Sequence, residues 1–314
     1  MATAASPSGN NSLQAARAAK NDEFYTQMND VSNELRHYRA FFKGKVVYCN
    51  CDDPEWSSFY KYFQLNFELL GLAKLITTHF SLEGKPAYAL ELTAGDAEPL
   101  IRKIEGNGDF RSEESVALLK EADVVVTNPP FSLFREYVAQ LIDHGKSFLI
   151  MGNNNAITYK EIFKLIKENK MWLGFHANKT MEFQLSPSYT KWDRVDELGR
   201  KFGKVPAISW FTNIPHSKRN EEIILFRQYK GNETAYPKYD NYEAIEVSRV
   251  ADIPADFHGA MGVPITFLDK YNPAQFEILG AMTTTKVEGY NFGYPYVEGK
   301  KVYARVIIKK RREE

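Results

Sequence analysis

A strand–helix rhythm repeated from Lys45 to Phe175 constrains the fold of this chain more than any other feature. Lys45 to Cys49 is a short apolar run of β type, and Leu75 to Thr78 is a second. Between them Phe59, Tyr60, Phe63, Phe67 and Leu70 recur at helical spacing from Trp56 onward, up to a stop at Gly71. Asp123 to Thr127 is a strand of the fully buried kind, rich in branched residues. After it, Phe134, Tyr137, Val138, Leu141 and Ile142 form one apolar stripe, with Ser132 placed to cap it. Phe148 to Met151 is the next strand, Thr158 is placed to cap a further helix, and Met171 to Phe175 closes the series. Consecutive β-α-β units require a mostly parallel, doubly wound sheet with helices on both faces, whose ligands sit beyond the carboxyl ends of the strands. Asn50 to Pro54, Asn128 to Phe131 and Asn153 to Asn155 all fall at such ends, which makes them parts of one site.

The pattern then changes. His176 to Lys204 is polar and charged and reads as an insertion with a task. Pro206 to Asn213 and Glu221 to Gln228 read as an antiparallel pair closing the edge of the sheet. Beyond Tyr229, Gly, Pro, Tyr and Asn increase, which suggests a small α+β extension over 230–314. Residues 1–20, rich in Ala, Ser and Asn, read as a disordered tail. The catalytic domain is thus expected over 21–229, with the insertion at 176–204.

Bulk properties narrow the function classes. The chain carries 40 basic and 40 acidic residues, so any polyanionic partner must be met by locally segregated charge. No apolar run is long enough to span a bilayer, and no membrane partner is expected. The only cysteines, Cys49 and Cys51, are too close for an unstrained bridge and lack the companions of a zinc site, which fits a reducing, cytoplasmic setting. No metal is expected.

Asn128-Pro129-Pro130-Phe131 carries the chemistry. Each proline fixes φ and removes an N–H, leaving a stiff loop that offers carbonyl oxygens, and the residue before a proline is held extended. An aromatic amine is a weak nucleophile because its lone pair is delocalised into the ring. A side-chain amide oxygen and a backbone carbonyl that accept both amino hydrogens draw the nitrogen toward a tetrahedral form and aim its lone pair at an electrophile. Phe131 adds a flat apolar face for an extruded base. A Pro-Pro turn alone would only end a strand; the flanking Asn and aromatic favour the chemical reading.

Asp123 to Phe131 resembles the catalytic motif of amino-group methyltransferases. With Asn21 to Thr26, Val46 to Pro54, Gly108 to Phe110 and Ile208 to Asn213, the chain resembles the EcoRI-type adenine-specific DNA methyltransferases over most of its length. The resemblance implies a class I S-adenosylmethionine-dependent fold with an antiparallel edge hairpin and a target-recognition extension. It also implies a monomer acting on double-stranded DNA, and a methyl donor held by Phe24, Tyr25 and Thr26, by Asp52, Asp53 and Pro54, and by Asp109 and Phe110. Asn128, Pro129, Pro130 and Phe131 match the catalytic loop. Two departures stand out: the first loop lacks a glycine-rich run, and the second strand ends at Thr78-His79 without a carboxylate for ribose hydroxyls. Lys191, Arg194, Arg200, Lys201, His216, Lys218 and Arg219 are the candidate DNA contacts.

The expected activity is methyl transfer to adenine N6 in a specific duplex site. Cytosine C5 chemistry is disfavoured because neither cysteine adjoins Asn128 in the sequence. Amino-group methylation of protein glutamine or RNA, and a non-catalytic DNA-binding module of the same fold, are the rival readings.

Overall fold

A computed structural model describes residues 24–81, 86–185 and 190–311; the expected tail at 1–20 lies outside them. The described residues form two compact units, 24–156 with 176–214, and 157–175 with 215–311. The boundary expected at Tyr229 thus falls at Ile214/Pro215, and residues 157–175 group with the second unit.

In chain order the first unit contains β1 (Phe24–Thr26), α1 (Met28–Leu35), β2 (Val46–Cys49), α2 (Ser58–Leu65), α3 (Phe67–Leu70), β3 (Lys74–His79), β4 (Tyr88–Thr93), β5 (Leu100–Lys103), α4 (Glu113–Glu121), β6 (Val124–Thr127), α5 (Phe134–Asp143) and β7 (Ser147–Asn153). α6 (Lys160–Lys167) and β8 (Trp172–Leu173) belong to the second unit; β9 (Lys179–Leu185), β10 (Arg194–Val195) and β11 (Lys201–Thr212) return to the first. The strand order is β1-β9-β11-β7-β6-β2-β3-β4-β5. β3, β2, β6 and β7 are mutually parallel, and antiparallel strands extend the sheet on both sides.

The pleat explains why these strands are apolar without alternation. Val47, Cys49, Val124, Val126, Leu149 and Met151 pack in one cluster with Val31 and Leu35 of α1 and Phe59 and Phe63 of α2. Their neighbours Tyr48, Val125, Phe148 and Ile150 point to the opposite face and are equally buried. Both faces are covered, as a parallel sheet requires.

Several expectations need correction. The run from Trp56 to Leu70 is two helices, α2 and α3, parted at Asn66; Gly71 ends the second in the left-handed conformation (φ 61°). The N-caps of α5 and α6 fall on Leu133 and Tyr159, one residue past Ser132 and Thr158. The stretch 176–204 is not an insertion outside the sheet, since it supplies β9 and β10 and leads into β11. Glu221 to Gln228 forms no strand and has only an isolated bridge, Arg227 to Pro254. The expected partner stretch, Pro206 to Asn213, pairs instead with β7, from Ile208 to Thr212.

The second unit holds its own sheet of β12 (Ile245–Glu246), β13 (Ala260–Pro264), β14 (Phe276–Met282), β15 (Val287–Glu288), β16 (Asn291–Phe292) and β19 (Arg305–Lys310), beside a small β17 (Tyr296–Val297)–β18 (Lys300–Lys301) ribbon. Arg305 on β19 forms a buried ion pair with Glu246, which also accepts the Tyr239 hydroxyl. Leaving either charge alone in that interior would cost several kcal/mol (about 3–5).

Candidate active site

β2, β3, β6 and β7 run the same way, so Asn50, His79, Asn128 and Asn153 emerge at one edge of the sheet. Three strand ends are tied together there by Asp52. Its Oδ1 accepts the Ser57 hydroxyl at 2.9 Å; its Oδ2 accepts the Thr127 hydroxyl and, at 3.2 Å, the Asn128 backbone N–H. Thr127 Oγ1 in turn accepts the Cys51 N–H at 3.1 Å. Thr77, near the end of β3, donates its hydroxyl to the carbonyls of Cys49 and Asp52. Ser57 also caps α2, accepting the N–H groups of Phe59 and Tyr60. Burial pushes the Asp52 carboxyl up to about 6, against the lowering effect of Thr127, Ser57 and Asn128.

The fold, not the sequence, brings Cys51 beside the catalytic loop. Burial pushes both its thiol and that of Cys49 up, so neither is poised as a thiolate nucleophile. Both are free.

The loop itself is firmly seated. Asn128 is half-buried, Pro129 is buried, and Phe131 is 8% exposed within the core cluster. Phe131 therefore anchors the loop, in place of the open stacking face expected from the sequence. The Pro130 carbonyl accepts Leu133 N–H at 3.0 Å as the chain turns toward α5.

Around Asn50 the groups suit a small polar ligand with a planar base. Tyr137 donates to Asn50 Oδ1, while Asn50 Nδ2, on a residue 3% exposed, has no hydrogen-bond acceptor among the described residues. A buried amide donor left over at a strand end is costly unless a ligand oxygen takes it. Phe110 stands edge-on to Tyr137 at 5.0 Å, held by Gln140 Nε2 donating to its carbonyl at 3.0 Å. Asp53 Oδ2 lies 2.6 Å from His79 Nδ1, and both side chains keep about a fifth of their surface exposed. Asp53 Oδ1 accepts Glu55 N–H at 2.9 Å. An acid of the first loop thus stands beside the end of the second strand, which sequence order alone did not reveal. Pro54 is buried. Asp109 is bound by Arg111 at 2.7 and 2.9 Å, and this guanidinium holds its carboxyl below the usual range. Gly108 (φ 79°) lets the loop approach β3 closely: a Cβ there would lie 2.6 Å from the His79 carbonyl. These residues fit a nucleoside-bearing methyl donor.

On the N-terminal side, the backbone of Phe24 and Tyr25 pairs with Leu185 and Gln184 of β9; their side chains lie outside the described part. Thr26 donates its hydroxyl to Met151 Sδ at 3.4 Å, which brings β1 over the end of β7. Asn154, Asn178 and Ser209 form a hydrogen-bonded group beside Asn153. No cluster of metal-ligating side chains occurs among the described residues.

The basic candidates divide into two groups. Lys191, Arg194, Arg200 and Lys201 lie on the β10–β11 hairpin of the first unit. Arg194 pairs with Glu182 at 3.0 Å and stacks on Phe202; Arg200 pairs with Asp196 at 2.7 Å; Lys201 lies over the half-exposed Trp192 at 4.2 Å; Lys191 is exposed. His216, Lys218 and Arg219 are instead built into the second unit. His216 is buried and contacts the Leu173 carbonyl at 3.0 Å, Lys218 binds the Phe175 carbonyl and Asp269, and Arg219 binds Asn169 and lies over Trp172.

An α/β sheet with an Asn-Pro-Pro-Phe corner at its carboxyl edge, beside a cluster of polar and aromatic side chains, is the arrangement of a class I methyltransferase. Comparison with known proteins narrows this. The family described as adenine-specific methyltransferase EcoRI matches residues 12–311. The chain is 45% identical to the type II methyltransferase M.EcoRI of Escherichia coli, over 96% of this chain and 97% of that one. It is 42% identical to the type II methyltransferase M.MpnI of Mycoplasma pneumoniae (95% and 97% covered) and 41% to M.MgeORF184P of Mycoplasma genitalium (95% and 98%). The chain belongs to the EcoRI family of adenine-specific DNA methyltransferases, and the family implies S-adenosylmethionine as methyl donor.

Proposed function

We propose that the enzyme extrudes an adenine from duplex DNA and places its N6 at the Asn128–Pro129 corner. The Asn128 side-chain oxygen accepts one amino hydrogen. Pro130's carbonyl is occupied by Leu133 N–H, so the second hydrogen falls to the Pro129 carbonyl. Bound S-adenosylmethionine supplies an electrophilic methyl on a sulfonium leaving group. Asn50 Nδ2 and the Asp53–His79 pair hold its polar portions, and Phe110 borders its base. Phe131 and the two prolines keep the corner from yielding as the nitrogen pyramidalises, which is electrostatic preorganisation. The β10–β11 hairpin, with Lys191, Lys201 and Trp192, contacts the DNA backbone.

The observation that carries this reading is the coincidence of a rigid acceptor corner and an unfilled buried donor, Asn50 Nδ2, on strands one place apart in the sheet. Asn128→Ala is expected to lower single-turnover methylation by roughly 10³-fold or more while donor affinity stays within a few-fold. Near-normal transfer by this variant would refute the assignment. Digesting the methylated DNA to nucleosides identifies the product as N6-methyladenine. Label found in RNA or protein glutamine would point to the rival substrates.

A further inference from the structure

Asp52 was expected to touch the methyl donor, but its surroundings point elsewhere. The residue is 8% exposed, and its two carboxylate oxygens receive three hydrogen bonds from the protein: Ser57 on one, Thr127 and the Asn128 N–H on the other. Two of the three donors belong to β6 and the catalytic loop, more than seventy residues away in the chain. Thr127 then closes a ring by accepting from the Cys51 N–H. The next residue, Asp53, is turned the other way, toward His79 and partly to solvent.

From this geometry we infer that Asp52 is a positioning residue for Asn128, linking the donor-side loop Asn50–Pro54 to the catalytic corner. Asn128 precedes a proline, which restricts its backbone but does not fix the rotation of the peptide that carries its N–H. The bond from that N–H to Asp52 sets this rotation, and with it the direction of the Asn128 side chain. The Thr127 hydroxyl, accepting on one side and donating on the other, locks the spacing between the two loops. A ligand that orders Asn50 to Pro54 therefore also orders the acceptor of the amino hydrogens. This inference rests on Asn128 being the acceptor, so its test is arranged to fail separately from that assignment.

Positioning errors of about 1 Å cost on the order of 10²-fold in rate. Asp52→Ala should lower the single-turnover rate by about that factor while the dissociation constant for tritiated S-adenosylmethionine, measured by equilibrium binding, changes less than about threefold. Asp52→Asn, which keeps an acceptor facing Thr127 and Asn128, should recover most of the loss. In the Asn128→Ala background, adding Asp52→Ala should lower the rate no further, because Asp52 acts through the residue already removed. If Asp52→Ala does not fold, Thr127→Val tests the same link, since it removes the hydroxyl that both accepts and donates. A tenfold or larger loss of donor affinity in the Asp52 variants would make Asp52 a donor ligand and overturn the inference. So would a full additional rate loss in the double variant. A wild-type rate for Asn128→Ala alone would instead defeat the catalytic assignment.

Discussion

Asp52 carries a charge into a place where only hydrogen bonds compensate it, and this has a measurable thermodynamic signature. Its carboxyl is pushed from 3.8 up to about 6, chiefly by burial. Roughly two units at about 1.36 kcal/mol each amount to ~3 kcal/mol. The native state holds this proton more tightly than the unfolded chain. Its contribution therefore favours folding at low pH and drains away as pH rises from about 4 through about 6. Asp52→Asn keeps the shape and cannot ionise. The unfolding free energy of the variant minus that of the wild type should therefore increase with pH by ~3 kcal/mol in full, roughly half of it between about pH 5 and about pH 7.5. Urea unfolding followed by tryptophan fluorescence across this range measures the difference, and groups common to both proteins cancel. Two parallel curves, offset by a constant, would mean that Asp52 titrates normally and that the closed network around it is misdescribed.

Replacing Gly108 by Ala puts a Cβ at 2.6 Å from the His79 carbonyl at a positive φ, so a loss of about 1–3 kcal/mol is expected in denaturant unfolding, with weakened donor binding. His79→Ala removes the partner that aims Asp53; donor affinity should fall about tenfold with the melting temperature nearly unchanged, and equilibrium binding together with a thermal melt checks both. Lys191→Ala combined with Lys201→Ala should weaken binding to any duplex and reduce the slope of log K against log salt by about 2, read by fluorescence anisotropy across a salt series. By contrast, His216→Ala should leave that slope unchanged and lower stability by about 1–3 kcal/mol, because its ring bonds to a buried carbonyl.

The parallel centre of the sheet was legible because Val124 to Thr127 and Phe148 to Met151 are buried on both faces, and burial on both faces leaves a continuous apolar run in the sequence. The catalytic corner was legible because proline restricts its neighbours covalently, whatever surrounds it. The antiparallel side was not. β9 has polar residues at alternate places (Thr180, Glu182, Gln184), and with one face wet it looked like a surface insertion. The roles of Asp52 and Asp53 were equally hidden. Two adjacent acids point opposite ways, one toward Thr127 and the other toward His79, which arrive from distant strands. The surroundings of His216, Lys218 and Arg219 were hidden for the converse reason: a cluster of basic residues records composition, while carbonyl and amide oxygens and one carboxylate of their own unit hold them.

β11 is continuous in the chain but serves as two strands joined at Ala207, whose φ of 58° and the register shift between Val205 and Ile208 mark a bulge. Ile208 to Thr212 is committed to β7 and the catalytic edge; Lys201 to Val205 is committed to β9 and the hairpin that carries Lys191 and Trp192. The kink acts as a buffer stop for variation. Residues gained, lost or exchanged in the hairpin are absorbed before Ile208 and do not slide β11 against β7. On the proposed reading, the hairpin that contacts the DNA backbone can be redrafted while the corner proposed to grip the amine stays where it was.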